Sequence, residues 1–198
     1  MNPILRLADE RDAGQIRSIY APFCEGTVVS FEIIAPTIAE MQERIRKVSV
    51  QHPWLVCEAG EKVIGYAYAC AHRERAAYRW SVDVAVYIAE GKRRSGVGRA
   101  LYTSLFKILI LQGYFKAYAG VTLPNPGSVG LHEAMGFTPV GIYRGVGYKS
   151  GAWRDVGWWE MSLQPECAEP DEPRGVRVIQ QTNAWQKALR AGLPHLRL

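Results

Sequence analysis

The sequence predicts an α+β fold, with a mixed central sheet flanked by helices. Three observations carry this. Strand-like segments come in runs, at 54–58, 63–71 and 81–89. Amphipathic helical stripes stand beside those runs, and strands in runs with helices packed on them make a mixed sheet. A basic, glycine-rich turn joins the strand Val86-Tyr87-Ile88 to a helix whose Leu101, Leu105, Ile108 and Leu109 share one face.

The elements follow in order. Ile4–Leu7 reads as a short strand. Asp9 is placed as an N-cap, followed by the helical stripe Ala13, Ile16, Ile19, Tyr20 and Phe23. Thr37 and Glu40 form a capping-box pattern that opens a second helix, with Ile38, Met41, Ile45 and Val48 inward. Between the two helices lies Gly26–Glu32, a loop with an apolar tip. Gly60 turns the first strand of the run into the second. Gly113 stops the helix after the basic turn. A strand at Lys116–Thr122, a short helix from about Ser128 to Gly136, and strands near Phe137–Tyr143 and Val156–Leu163 complete the order β-α-α-β-β-β-α-β-α-β-β. No internal repeat is present. After Leu163 the composition changes. Residues 164–173 are rich in Pro and Glu and read as a linker, and 183–191 could form a short helix with Trp185, Ala188 and Leu189 on one face. Alone it is too short to be stable, so it must dock on its own domain or on another subunit, or stay frayed. The expected division is a domain over 1–163 and an extension over 164–198.

The chain has 198 residues, 48% hydrophobic and 22% charged, which describes a globular chain with a sizeable core. Cys24, Cys57, Cys70 and Cys167 are scattered, a pattern of reduced thiols with neither a disulfide framework nor a zinc site. With the early acidic residues Asp9, Glu10 and Asp12 and no apolar run, no signal peptide is expected, and no run is long enough to span a bilayer. A cytoplasmic location with no membrane partner is expected. The net charge of +5 does not imply nucleic acid, because aromatics do not interleave with Lys and Arg along any strand. A polyanionic ligand explains it more simply.

The turn itself says which kind of ligand. Because it opens a helix, its free N–H groups and the positive end of the helix dipole make an anion site, and glycines let a phosphate approach the backbone. Lys92, Arg93, Arg94 and Arg99 add positive charge, so a pyrophosphate fits. The turn lacks the Gly-Lys-Ser/Thr ending of a P-loop. It also lacks the third glycine of a dinucleotide fingerprint, since Leu101 stands there. Taken alone, it also reads as an ordinary strand–turn–helix with a solvated basic loop.

Arg93, Gly96 and Gly98 after a strand resemble motif A of the GNAT acyl-CoA-dependent N-acetyltransferases. Asn125-Pro126-Gly127-Ser128-Val129-Gly130-Leu131-His132-Glu133-Ala134-Met135-Gly136-Phe137 resembles a second signature of that family. Further stretches narrow the resemblance: Tyr20–Phe23, Thr27–Glu32, Pro53–Val56, Ala77–Val82 and Gly147–Val156 look like the phosphinothricin N-acetyltransferase subgroup, whose members act on methionine sulfone, methionine sulfoximine and similar amino acids. The resemblance runs from about Ile4 to Leu163 and does not cover the extension.

What the resemblance implies is a GNAT fold and acetyl-CoA as cosubstrate. Val86, Tyr87 and Ile88 would offer backbone hydrogen bonds to the acetyl and pantetheine groups. Arg93, Arg94, Ser95, Gly96, Val97, Gly98 and Arg99 would hold the pyrophosphate, with Asn125 nearby. Asp83 stands where the subgroup places a Glu as general base, one methylene shorter; the alternative is a half-buried Asp capping a backbone group. His132 stands where many members have a Tyr that protonates the leaving thiolate; the alternative is a helix-face His bonded to a neighbour. Phe31, Ala76, Ala77 and Tyr78 would line the acceptor pocket, and Arg73 and Arg75 could pair with an acceptor carboxylate or be solvated loop charge. The hairpin with Tyr148, Lys149, Trp153 and Asp155 would cover the site from a neighbouring subunit, so a homodimer is expected. His52, His72 and His195 sit in no motif and receive no role. No metal constellation is visible and the chemistry needs none. The expected activity is acetyl transfer to a small amino acid. The alternatives are a family member acetylating a protein N-terminus or lysine, and an idle acetyl-CoA-binding module.

Overall fold

The computed structural model describes residues 3–198. Ile4–Leu7 (β1) pairs antiparallel with Trp54–Ala59 (β2), which turns at Gly60 into Lys62–Ala71 (β3). Ser81–Ile88 (β4) pairs antiparallel with β3, so that Cys70 faces Asp83 and Tyr66 faces Tyr87. Lys116–Thr122 (β5), Thr138–Lys149 (β6) and Ala152–Ser162 (β7) complete a seven-stranded sheet in the order β1-β2-β3-β4-β5-β7-β6. The β4–β5 pair is parallel and the others are antiparallel. The mixed sheet and the element order through β7 are those the sequence predicts.

Helices cover both faces. Ala13–Glu25 (α1) and Ile38–Val48 (α2) bury Ile16, Tyr20, Met41 and Ile45 against Trp54, Val56 and Tyr66. Val97–Gln112 (α3) covers the opposite face, joined by Pro126–Ala134 (α4). The local signals act as expected at Thr37, whose hydroxyl and Glu40 form a reciprocal capping box. Asp9 caps too, but it opens a short 3-10 turn, Glu10–Asp12, closed by Asp12 before α1 begins. Asp12 is held by Arg6, whose guanidinium also pairs with Glu58 on β2. Gly113, at φ +97, ends α3 in the left-handed conformation. Helix α4 starts at Pro126, earlier than expected, because Asn125 is its cap and Pro suits the first helical turn.

The extension docks on its own domain. Val176–Ile179 (α5) and Trp185–Arg190 (α6) place Val176, Ile179, Trp185, Ala188 and Leu189 in the same buried cluster as α3. The hydroxyl of Ser104, fully buried on α3, donates to the Leu189 carbonyl at 2.7 Å and accepts the Gly192 N–H at 3.0 Å. The preceding linker is strapped down as well: the Trp80 indole donates to Asp171 O and Gln112 Nε2 to Arg174 O. These contacts explain why α3 is apolar around most of its circumference, with the sheet on one side and the extension on another.

At the other end of the sheet, β6 and β7 run further than the sequence suggests, and the expected hairpin is their paired tip. That tip folds back on loop 26–37. Lys149 Nζ is buried and donates to the carbonyls of Cys24, Ser30 and Glu32 at 2.5, 2.7 and 2.8 Å. Gly147 lies flat on the Phe31 ring, where any Cβ would collide. Lys149 thus pins the tip of the hairpin to the chain's own loop. Lys149→Met removes three charge-assisted hydrogen bonds and leaves their carbonyls unpaired, so it should destabilise the fold by roughly 2–4 kcal/mol. Chemical denaturation checks this, and limited proteolysis should show first cleavage in 26–37.

Candidate active site

The site is built where β4 and β5 part. Their parallel pairing covers Ser81–Lys116, Val82–Ala117 and Asp83–Tyr118, then stops. Beyond Asp83, the β4 backbone groups that point away from β3, those of Val84, Val86 and Ile88, have no strand partner. An unpaired edge inside a fold demands another hydrogen-bonding guest. Of the sequence-predicted residues, Val86 and Ile88 turn their backbone groups to this open edge, and those of Tyr87 face β3. Val86 and Ile88 pack toward α3, whereas the Tyr87 ring turns the other way and stacks on Tyr66 at 5.3 Å.

The edge runs into the basic turn. Gly91 and Gly96 have φ of +76 and +82, and Arg94 takes the left-handed conformation at φ +61. Gly96 is the N-cap of α3 and has no side chain to satisfy the helix's first N–H groups. Val97, Gly98 and Arg99 therefore open an anion site, and a pyrophosphate fits these donors. Lys92, Arg94 and Arg99 are exposed around it. Arg93 is exposed too, but its guanidinium lies over the Phe23 ring at 5.6 Å, on the α1 side. A cleft of about 670 Å³ opens there between α1 and the end of β4, with Phe23, Ile88 and Arg93 in its wall. The extension closes the far side of the turn: Arg197 N–H donates to Ser95 O at 2.9 Å, and the His195 carbonyl fills the space a Cβ on Gly96 would need.

At the apex of the opening, Asp83 is not alone. Its Oδ1 is 2.6 Å from Nδ1 of His72, a residue that belongs to no sequence motif. The His72 ring stacks on Tyr118 at 4.3 Å, with the edges of Tyr78 and Trp158 nearby. Arg73 approaches Asp83 Oδ2 at 4.0 Å and lies over Trp158 at 5.6 Å. Burial pushes the Asp83 carboxyl above its ordinary value, and the His72 hydrogen bond and the Arg73 charge oppose that rise. Of the predicted acceptor residues, Arg73 and Tyr78 reach this cluster. Ala76 and Ala77 sit on the exposed 3-10 turn above it with Arg75 as its N-cap, and Phe31 lies under Gly147.

His132 has a different setting from that of an acid at the thiolate. It is 4% exposed, between α4 and α3. Nδ1 lies 2.8 Å from the Ser128 carbonyl, which can only accept, so Nδ1 carries the proton. Nε2 then accepts from the Tyr102 hydroxyl at 2.9 Å. Burial lowers its pKa, against the backbone hydrogen bond, so the neutral ring keeps its proton on the Ser128 side. Both ring nitrogens have partners inside the protein, as in the alternative of a helix-face His bonded to its neighbours. Asn125 likewise spends its Oδ1 on the Ser128 N–H at 3.1 Å, leaving its amide N–H groups for a ligand. Among the described residues no cluster of His, Cys, Asp and Glu could hold a metal ion. Among them, too, no helix is long and apolar enough to cross a membrane.

Comparison with known proteins agrees with this geometry. Residues 5–158 match the acetyltransferase (GNAT) domain family. A phosphinothricin N-acetyltransferase of Streptomyces viridochromogenes is 37% identical over 89% of this chain and 94% of its own length. An L-methionine sulfoximine/L-methionine sulfone acetyltransferase of Pseudomonas paraeruginosa is 32% identical over 60% of this chain and 70% of its own. The crystal structure of a phosphinothricin acetyltransferase from Sinorhizobium meliloti in complex with acetyl-CoA superposes with a TM-score of 0.82 at 32% identity, covering 88% of this chain and 96% of that one. With its split parallel pair, its left-handed glycine cap and this family match over most of its length, the chain belongs to the GNAT acetyltransferases.

Proposed function

We propose that this protein transfers the acetyl group of acetyl-CoA directly to the amine of a small amino acid or analogue, of the phosphinothricin, methionine sulfoximine or methionine sulfone type. The observation that carries the reading is the open β4 edge, which ends at one side on Asp83 and at the other on the α3 anion turn. Acetyl-CoA supplies the activated thioester. The chain supplies the rest. Backbone groups of Val84, Val86 and Ile88 fit the acetyl carbonyl and the amides of pantetheine, and such a donor is worth about 3 kcal/mol when it meets a developing oxyanion. The Asp83 and His72 pair stands where an acceptor ammonium must lose a proton. Arg73, held by its bond to His72 O and by Trp158, offers a cation for an acceptor carboxylate. The clamp of Lys149 and Gly147 on loop 26–37 closes one wall, which favours a small acceptor over a polypeptide.

A thiol-release assay with acetyl-CoA checks the substrate class. Phosphinothricin, methionine sulfoximine or methionine sulfone should be turned over, and polyamines and N-terminal peptides should not. Turnover of peptides alone would overturn the small-molecule reading. Arg94→Glu reverses a charge at the turn without touching Asp83. It should raise the acetyl-CoA dissociation constant at least about tenfold, roughly 1.4 kcal/mol, and leave saturated turnover within about twofold. Isothermal titration measures the first, and an unchanged constant would remove Arg94 from the coenzyme site.

A homodimer in the cytoplasm belongs to the same reading. β6 is an edge strand of twelve residues, and Val140, Ile142, Tyr143 and Val146 on it are exposed, with Tyr148 and Trp153 at the tip. A long apolar edge of this kind is normally covered. Light scattering should give twice the chain mass, and Ile142→Lys with Val146→Lys should halve it.

A further inference from the structure

Two groups at the apex, the Asp83 carboxylate and the His72 imidazole, could take the acceptor's proton, and the geometry separates them. We infer that His72 Nε2 is the proton acceptor, and that Asp83 is a positioning residue that holds the imidazole by its Nδ1.

This assignment rests on the acetyl-transfer reading of the site and on four placements. First, Asp83 Oδ1 meets His72 Nδ1 at 2.6 Å, so that carboxylate oxygen is engaged by the ring. Its other oxygen faces the Arg73 guanidinium at 4.0 Å. Second, Nδ1–H donating to a carboxylate leaves Nε2 as the acceptor nitrogen of the neutral ring, at the opposite side of the imidazole from Asp83. The ring thus carries basicity outward from a carboxylate that is short for its position. Third, the ring is fixed: it stacks on Tyr118 and is bounded by Tyr78 and Trp158, so Nε2 has a defined aim and costs little ordering at the moment of reaction. Fourth, Asp83 forms the last β4–β5 pair, at the start of the unpaired edge, so the ring is anchored at the root of that edge.

The protons balance. The acceptor ammonium has two protons to lose. The first passes to His72 Nε2 and on to solvent, freeing the amine lone pair. That pair forms the new N–C bond as the C–S bond breaks with its electrons on sulfur. The second proton ends on the sulfur, giving the free thiol. The charged or titratable groups around His72 are Asp83 from β4, Cys70 and Arg73 on its own side, Tyr78 from the 3-10 turn, and Tyr118 from β5. Burial pushes Cys70 up to about 11 and raises Tyr118 as well, so neither titrates near neutral pH.

His72→Asn tests the assignment. Its amide can replace Nδ1 as the partner of Asp83, but it offers nothing in place of Nε2 and does not titrate. Saturated turnover should fall by about 10²–10⁴-fold, the acid limb of the kcat/KM profile should disappear, and acetyl-CoA should bind within about twofold of wild type by calorimetry. An Asn variant with nearly full turnover and the wild-type acid limb would overturn the proposal. Ring nitrogen NMR of the wild-type protein gives a second readout that needs no variant. The His72 titration should coincide with the acid limb, and Asp83→Asn should lower the fraction of neutral ring with its proton on Nδ1, because the carboxylate that holds Nδ1–H is lost. A His72 titration that does not match the limb would equally overturn it. The two readings fail separately. A wild-type protein that neither binds acetyl-CoA nor acetylates any amine removes the function and the proposal together, whereas an active wild type with an equally active His72→Asn variant removes the dyad alone.

Discussion

The site depends on a limit to one strand pairing. β4 and β5 are parallel and hold together for three residue pairs, while β5 keeps register with β7 along its whole length, from Lys116–Ser162 to Thr122–Val156. Once β5 follows β7, the free part of β4 must present its N–H and C=O groups to something other than a strand. Everything functional is arranged about that gap. The carboxylate–imidazole pair sits at its root, the glycine turn and the α3 N-terminus at its mouth.

Much of this is legible in the sequence because it is local. The capping box at Thr37 and Glu40, the glycine stop at Gly113 and the paired glycines at Gly96 and Gly98 act within a few residues of chain, and each appears where the sequence puts it. His72 is not legible. It lies just past the end of β3, and its approach to Asp83 depends on the β3–β4 register, which is set by the irregular connection 72–80. A period-2 count does place Cys70 and His72 on one face; it does not say which β4 residue stands opposite. His132 shows the reverse. Its motif is plain, but its partner Tyr102 comes from another helix, and only the α3–α4 packing shows that both ring nitrogens are spent. The extension is hidden for a third reason. Short helices have little propensity of their own, and docking against α3 decides their fate.

The cations divide by environment. Lys92, Arg94 and Arg99 stay exposed around a turn that offers backbone donors, where their charge is available to an anionic ligand. Lys149 is taken out of solvent altogether, and its charge is spread over three carbonyls that hold a loop in place. The same residue type serves recognition in one place and architecture in the other, and net charge alone does not separate them.

The contact of Arg197 with Ser95, beside the His195 carbonyl against Gly96, ties the turn to a segment at the far end of the chain. Closing so long a loop costs entropy that only the docked helices offset. Contacts of such sequence separation form late. The sheet can therefore assemble before the glycine turn takes its final shape, and that turn is completed by the docking of residues 176–197. Nascent or truncated chains lacking that segment would hold a nearly complete sheet with an unfinished turn before α3.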